Sequence, residues 1–372
     1  MKGINKVINI NGTVKSFLAK VNSWMCREFS QPRKTFVPDF NIIASFVCAF
    51  DDTVNIGHVP IPALWHVRGR ESRVYSYPFP RNASDFHGLP IKGEMPGEEV
   101  SFKERPRFGL TGLCKLGDYI FAGSWNGVYK IAKDFTLESI ISNHLISDLH
   151  GIYCDSDFIY TCLTCKDTLV ISDHEGRIVD HISVGKDLDL YTDNSLDKYD
   201  WRFVSKQYRG SKGFFHFNYI QKHGNEIFLT SRNLGCLVVI NINSRSCHLE
   251  PINMSTPALL HDGLKIDDKY YFTSTDGQIV IAGNKDGGLF NRGLCAEHII
   301  RLKRQPNWCR GIAIKDDVAL TAVDGKYGSN LAFGIHAVSL SGKYIGEIRF
   351  SHDHSKIGIR QKPLYLTGFD IL

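Results

Sequence analysis

No apolar stretch in this sequence approaches the ~20 residues that a helix needs to cross a bilayer, so no membrane span is expected. No dense tract of Lys and Arg interleaved with aromatics is present either. The balance of 44 Lys+Arg against 39 Asp+Glu leaves a net charge of +5. That mild excess reads as a solvated mixed-charge surface, and a nucleic-acid partner is not expected. A Gly-rich phosphate loop, a GxSxG elbow and an HExxH helix are all missing, which leaves a nucleotide cofactor and the standard hydrolase chemistries without support. The 10 cysteines show no framework spacing, and several (Cys48, Cys162, Cys236) sit inside apolar runs. They read as reduced thiols packed as small hydrophobes. Cys162 and Cys165 form a CxxC in a strand and its turn, with no second pair to complete a zinc knuckle. The first 30 residues carry Lys2, Lys6, Lys15, Lys20 and Arg27 but no continuous apolar core, so no export signal is expected. A cytoplasmic location follows as an expectation, and the sequons at Asn11, Asn82 and Asn253 read as chance matches.

What the sequence does contain is a short pattern that returns five times. The copies are Leu110-Thr111-Gly112-Leu113, Leu149-His150-Gly151-Ile152, Phe217-Asn218-Tyr219-Ile220, His261-Asp262-Gly263-Leu264 and Cys309-Arg310-Gly311-Ile312. A polar turn and an apolar run follow each, as in Asp118-Tyr119-Ile120-Phe121-Ala122 and Asn225-Glu226-Ile227-Phe228-Leu229. A period near ~40 residues with several short strands per repeat is the signature of a β-propeller. The chain has 372 residues with 43% hydrophobic and 22% charged, enough for a large core, and propellers of this length run as one domain.

The expected fold class is therefore all-β, a β-propeller of six blades, or seven if residues 51–108 hold a full blade. Five regular blades are expected at about 109–145, 146–214, 215–256, 257–307 and 308–350. The buried run Asn41 to Phe50 and the tail Pro363 to Leu372 are expected to share a blade, so that the two ends of the chain close the ring. Residues 1–38 read as an N-terminal extension with a short amphipathic helix near Ser16 to Glu28, and 39–372 as a single propeller domain. The second interval between copies is 68 residues, against 39, 44 and 48 for the others, which marks an inserted loop at about 186–214. Loops this long are commonly functional.

One position of the repeat changes while its neighbours change less. It reads Thr111, His150, Asn218, Asp262 and Arg310. The first strand of each propeller blade lines the central channel, so these residues would converge on the axis although they are far apart in sequence. His, Asn and Asp together suit a divalent cation with open coordination positions. His150, Asn218 and Asp262 are the candidate ligands, with His216 and His261 as weaker ones. Facing alternates along a strand, so His261 would point away from the site that Asp262 faces unless a bulge intervenes. His150 is also the candidate general base, and Arg310 the candidate catalytic anchor for an anionic group. Thr111, Asn218, Arg310 and Trp201 are the candidate substrate contacts. Trp201, in Asp200-Trp201-Arg202 of the inserted loop, would cap the mouth and stack on a ring-shaped ligand such as a sugar. His352-Asp353-His354 is a further metal candidate, and Tyr208 and Arg209 of the loop are weaker substrate contacts. The plainer alternative is that polar residues at strand ends satisfy backbone groups or hold water in a wet channel.

The repeat resembles the six-bladed β-propeller superfamily that includes NHL-repeat and gluconolactonase-like proteins, over roughly residues 109–350. The resemblance implies an axial cation held by carboxylate and amide side chains from several blades. Asn218 and Asp262 are similar to that arrangement, and His150 and Arg310 depart from it. The expected function is an enzyme of lyase, lactonase or isomerase type, acting on a small polar or anionic substrate at the channel mouth, with one divalent metal ion as candidate cofactor. The alternative is a non-catalytic propeller that binds a protein partner or a carbohydrate.

Overall fold

The computed structural model describes residues 34–35, 41–50, 59–68, 71–78, 109–190, 198–204, 214–254, 259–284, 293–302, 308–324, 334–349 and 365–371. The strands in chain order are β1 (Lys34–Thr35), β2 (Asn41–Phe50), β3 (Val59–Arg68) and β4 (Glu71–Ser76). Next come β5 (Leu110–Leu116), β6 (Tyr119–Ser124), β7 (Val128–Ala132) and β8 (Leu137–Ile141), then β9 (Ile152–Cys154), β10 (Ile159–Leu163), β11 (Thr168–Ser172) and β12 (Ile178–Ser183). They are followed by β13 (Phe217–His223), β14 (Glu226–Ser231), β15 (Cys236–Asn241) and β16 (Ser246–Asn253), and by β17 (Leu260–Ile266), β18 (Lys269–Ser274), β19 (Gln278–Asn284) and β20 (Leu294–Arg301). The last are β21 (Trp308–Lys315), β22 (Val318–Asp324), β23 (Gly334–Ser339), β24 (Tyr344–Arg349) and β25 (Tyr365–Ile371).

Among the described residues these strands pair as six antiparallel sets of four, each built like a propeller blade. Five of them are consecutive in sequence, from β5–β8 to β21–β24. The sixth is β25-β2-β3-β4, in which the tail strand pairs antiparallel with β2, Ile42 opposite Ile371 and Ala44 opposite Phe369. The two ends of the chain thus close the ring, as expected. First strands are neighbours around a circle, β25–β5–β9–β13–β17–β21 and back to β25. The chain is a β-propeller. Two features elaborate the plan. The outer strand β16 meets β20 of the next blade in a short parallel pairing at Ile252 and Asn253, and β1 adds a fifth strand beside β24.

Sequence pattern follows position in the blade. Middle strands are covered on both faces and are nearly continuous apolar runs: β10 and β11 are buried at every residue, and β14 and β18 at all but the first. Outer strands are more open: β16 is exposed or half-buried at every residue except Ile252. The core lies between blades, not within them. Tyr160, Leu169 and Ile171 pack against Phe217, Ile227 and Leu229 of the next blade. Phe228 and Leu237 pack in the same way against Phe272 and Val280. At ~25 cal/mol per Å2 of apolar area, such face-to-face burial is the main term holding the ring together. The tight hairpin between β21 and β22 carries Asp316 and Asp317, both at positive φ (50° and 60°), a conformation that short acidic side chains tolerate.

No helix among the described residues is long and apolar enough to cross a membrane. The helix expected at 16–28 and the candidates His352, Asp353, His354, Tyr208 and Arg209 lie outside the described residues, as do residues 79–108.

Candidate functional site

All the first strands run the same way, so the changing positions of the repeat collect at one end of the channel. In four of the five copies the position coincides with a bulge, and the copy at His150, which precedes β9, shows none. Pairing between first and second strands shifts register between Leu110 and Leu113, Phe217 and Ile220, Leu260 and Gly263, and Arg310 and Ile312. The changing residue sits at the shift each time. A bulge adds a residue to one strand and re-aims the side chains beside it. The same shift occurs in β25, where Ser45 pairs with Gly368 and Phe46 with Leu366, so that Thr367 is passed over. Leu366-Thr367-Gly368-Phe369 is therefore a sixth copy of the repeat, and Thr367 a sixth member of the ring. Its likeness to Leu110-Thr111-Gly112-Leu113 was readable in the sequence.

The bulge decides the question posed by His261 and Asp262. Both are buried, 5% and 4% exposed, and His261 Nδ1 lies 2.7 Å from Asp262 Oδ2. The same carboxylate oxygen accepts the backbone N–H of Gly311 on the next blade at 2.6 Å. Asp262 is thus one member of a belt of bonds from blade to blade. Ser45 Oγ donates to Thr111 O (2.8 Å), Thr111 Oγ1 to Leu149 O (2.6 Å), Thr164 Oγ1 to Phe217 O (3.2 Å) and Thr230 Oγ1 to His261 O (2.7 Å). The repeat's glycines permit this close approach. A Cβ on Gly112 would lie 2.9 Å from Ile152 N, and one on Gly151 would lie 3.0 Å from Tyr219 Cα.

Within the belt a cavity of about 440 Å3 runs down the axis. His150, Asn218 and Asp262 line its polar end, and Ile152, Ile220, Leu264, Ile312 and Ile314 line its body. Asn218 is 1% exposed, and neither its Oδ1 nor its Nδ2 has a hydrogen-bond partner. An unmade bond on a buried amide costs roughly 1–3 kcal/mol per group. Asp262 Oδ1 makes no hydrogen bond among the described residues. His150 is half-buried; its Nε2 stands 3.5 Å from Asp148 Oδ1, and its ring meets that of His216 edge-on, centroids 5.1 Å apart.

His216 has a left-handed backbone, φ 53°. Burial, and next the neighbouring His150, push its pKa down to about 3, so its imidazole is neutral. Burial likewise lowers the pKa of His261, against the opposing pull of Asp262. Arg232, the first residue after β14, donates its N–H to His216 O at 3.3 Å. Burial and then Arg310 lower the pKa of its guanidinium.

His150, Asn218 and Asp262 do converge, with His216, His261 and Arg310 around them. Thr111 donates its hydroxyl proton to Leu149 O and, at 3.2 Å, lies within reach of Gly123 O, which leaves it only accepting capacity for a ligand. One expectation is corrected: Trp201 is not a stacking platform. It is 2% exposed, packed among Leu145, Leu163, Cys165, Val170 and Val204, with Lys166 Nζ 4.8 Å from its ring centre. Its neighbours Asp200 and Arg202 form a buried pair, Nη2 to Oδ2 2.6 Å, so this stretch of the insertion is core and not a mobile cap. Among the described residues no three His, Cys, Asp or Glu side chains group closely enough to hold a metal ion. A cation here would need Asn218 Oδ1 beside Asp262 Oδ1 and His150, the amide and carboxylate that the family resemblance implies.

Asp148 and Arg232 were missed. Arg232 belongs to a second changing position of the repeat, seven residues after the polar turn: Trp125, Thr164, Arg232, Thr275 and Asp324. It follows the second strand at the same end of the channel. Asp148 has no such signal.

No protein-family model matches this chain, and no curated protein matches it in sequence. Solved propellers are similar to it. Streptogramin B lyase is 10% identical, with a TM-score of 0.44 over 88% of this chain and 90% of that one. A 6-phosphogluconolactonase-like protein of Bacteroides uniformis is 10% identical, with 0.48 over 84% of each chain. The Pan2 WD40 domain of Neurospora crassa is 10% identical, with 0.41 over 68% of this chain and 70% of that one. Likenesses of this strength carry no argument about activity, and the propeller is read from its own strand order.

Proposed function

We propose that the protein binds a small polar or anionic molecule at the polar end of the axial channel and acts on it by proton transfer, as a lyase, lactonase or isomerase does. The observation that carries this is Asn218: a buried residue whose carboxamide has donor and acceptor both unpaired, and which is among those lining a cavity of about 440 Å3. A fold retains such a group where a ligand completes it. The cavity falls within the roughly 300–1,000 Å3 of small-molecule sites.

In this reading Asn218 Nδ2 donates to a carbonyl oxygen of the substrate and steadies the charge that develops there. His150, oriented by Asp148, takes the proton next to that carbonyl through a ring nitrogen. Asp262 is held rigid by His261 and Gly311 and presents Oδ1 to a donor on the substrate. Arg310 binds an anionic substituent. Where a divalent ion is bound, Asn218, Asp262 and His150 would be its ligands, and it would polarise the same carbonyl.

The test is a screen of small carboxylic acids, lactones and amides by ligand-detected NMR, beside elemental analysis of the purified protein. Binding that disappears in Asn218→Ala and His150→Ala, both still folded, supports the reading. Hits that bind both variants unchanged would sink it.

A second reading, a protein partner docked on the same face, is favoured by Leu190, Phe214, Leu234 and Leu259. These are 42–50% exposed in segments at the mouth end of the blades. Charge substitutions at Phe214 and Leu259 would abolish partner binding and leave small-molecule binding intact.

A further inference from the structure

We propose that the axial cavity takes an amphipathic ligand, a carboxamide on a straight aliphatic chain, with the amide at Asn218 and Asp262 and the chain running down the channel; this rests on the axial-ligand reading and names the class of molecule.

The cavity is divided by chemistry along its length. At the repeat's changing position it is lined by His150, Asn218 and Asp262. Two residues further along the first strands it is lined by Leu113, Ile152, Ile220, Leu264 and Ile312, one aliphatic side chain from each of five blades. Two residues further again, Ile266 and Ile314 continue the wall. Between the polar and the aliphatic ring stand Gly112, Gly151 and Gly311, which carry no side chain to close the bore. Leu113 and Leu264 are only half-buried although they belong to innermost strands, so the fold by itself does not finish burying this ring. A chain threaded through it removes that apolar surface from water. At ~3.3 Å per residue the aliphatic ring lies about 7 Å below the polar one, a distance that about six C–C bonds of ~1.5 Å cover in a zigzag chain. A few polar groups above an apolar wall are the usual division of a small-molecule site.

The head group is read from the polar end. Asn218 is 1% exposed, and neither atom of its carboxamide is hydrogen-bonded. A group that offers one acceptor and one donor side by side completes both, and a second carboxamide does this with two parallel bonds. Asp262 has Oδ2 engaged by His261 Nδ1 and Gly311 N–H, which leaves Oδ1 as an acceptor for the second N–H of the same amide. A carboxylate head would instead set like charges together in a half-enclosed bore. Burial lowers the pKa of both His216 and His261, so these imidazoles offer a carboxylate no compensating charge.

The experiment is titration of acetamide, butanamide and hexanamide into the full chain, followed by NMR, with hexanoate as the charged control. Asn218→Ala, Leu113→Ser and Leu264→Ser are run beside it, each checked for folding by circular dichroism. Affinity should rise about three- to fourfold per methylene from butanamide to hexanamide, as burial of each CH2 implies, and hexanamide should bind more tightly than hexanoate. Leu113→Ser and Leu264→Ser should weaken hexanamide about fivefold and leave acetamide within about twofold. Asn218→Ala should weaken all three amides about tenfold and keep the dependence on chain length. The two serine variants lie on different blades, so if one is unfolded the other decides, and the series on the unaltered protein needs neither. Affinity that does not grow with chain length overturns the proposal, as does growth that persists in full in both serine variants, because the chain then binds elsewhere. Hexanoate binding more tightly than hexanamide overturns the carboxamide head. A flat series that is lost in Asn218→Ala would remove this inference and leave the axial reading standing. A steep series that Asn218→Ala does not weaken, flattened by the serine variants, would leave the aliphatic bore and remove the axial reading.

Discussion

His261 and Asp262 are consecutive residues of one strand, yet their side chains are hydrogen-bonded to each other at 2.7 Å and both are buried. A regular strand would send them to opposite faces. The register shift between Leu260 and Gly263 turns them together, and the next blade's Gly311 N–H completes the arrangement. One carboxylate thus holds a histidine, a blade junction and one edge of the cavity.

Removing that carboxylate should be expensive. Asp262→Ala leaves His261 Nδ1 and Gly311 N–H buried without an acceptor, at about 2–4 kcal/mol in urea unfolding. Asp262→Asn keeps an acceptor oxygen and should lose about half of that. Equal, small losses in the two variants would show that the belt does not run through this residue.

Asn218 should behave in the opposite way. Its amide is buried and unpaired, so Asn218→Ala removes an unsatisfied group and should leave stability unchanged or raise it by up to about 1 kcal/mol, while ligand binding is lost. A loss above about 2 kcal/mol would instead mean that the amide is structural.

His216 should make the fold sensitive to acid. The unfolded chain takes up a proton on this residue as pH falls through about 6.5, and the folded protein resists until about 3. Its contribution is complete above the unfolded value and is lost progressively on acidification between the two. His216→Asn, which tolerates the left-handed backbone, should flatten that part of the profile. His216→Val should cost about 1–2 kcal/mol at every pH, because a β-branched residue is strained at φ 53°. Unfolding midpoints from pH 4 to 8 for the three proteins test both statements.

The belt itself can be weakened without touching the cavity. Thr111→Val keeps the shape and loses the bonds to Leu149 O and Gly123 O, for about 1 kcal/mol. Gly151→Ala places a Cβ 3.0 Å from Tyr219 Cα and 3.1 Å from Asn218 O, backbone atoms that yield only if two blades move apart. About 1–3 kcal/mol is expected from such overpacking, and the displaced Asn218 should cost ligand binding as well. Unfolding and ligand titration on the same samples would separate the two effects.

Much of this molecule is written locally in the chain. Apolar runs with a polar turn recur at a steady period, because each blade must bury both faces of its middle strands, and that recurrence alone determines an all-β propeller and the limits of five blades. The changing position of the repeat also locates the site, since first strands of a propeller can only meet at the axis. Contacts between residues distant in sequence are another matter. Whether Asp262 and His261 share a side depends on a bulge whose existence is set by pairing with β18. Whether Trp201 is exposed depends on the hydrophobic cluster of another segment that it enters. Thr111 becomes a staple only when Leu149 is brought beside it. Periodicity is a property of one strand and its own turn, so the sequence determined the fold and the ring of candidate residues. Which of those residues are bonded and which are left unpaired was decided by tertiary packing between blades.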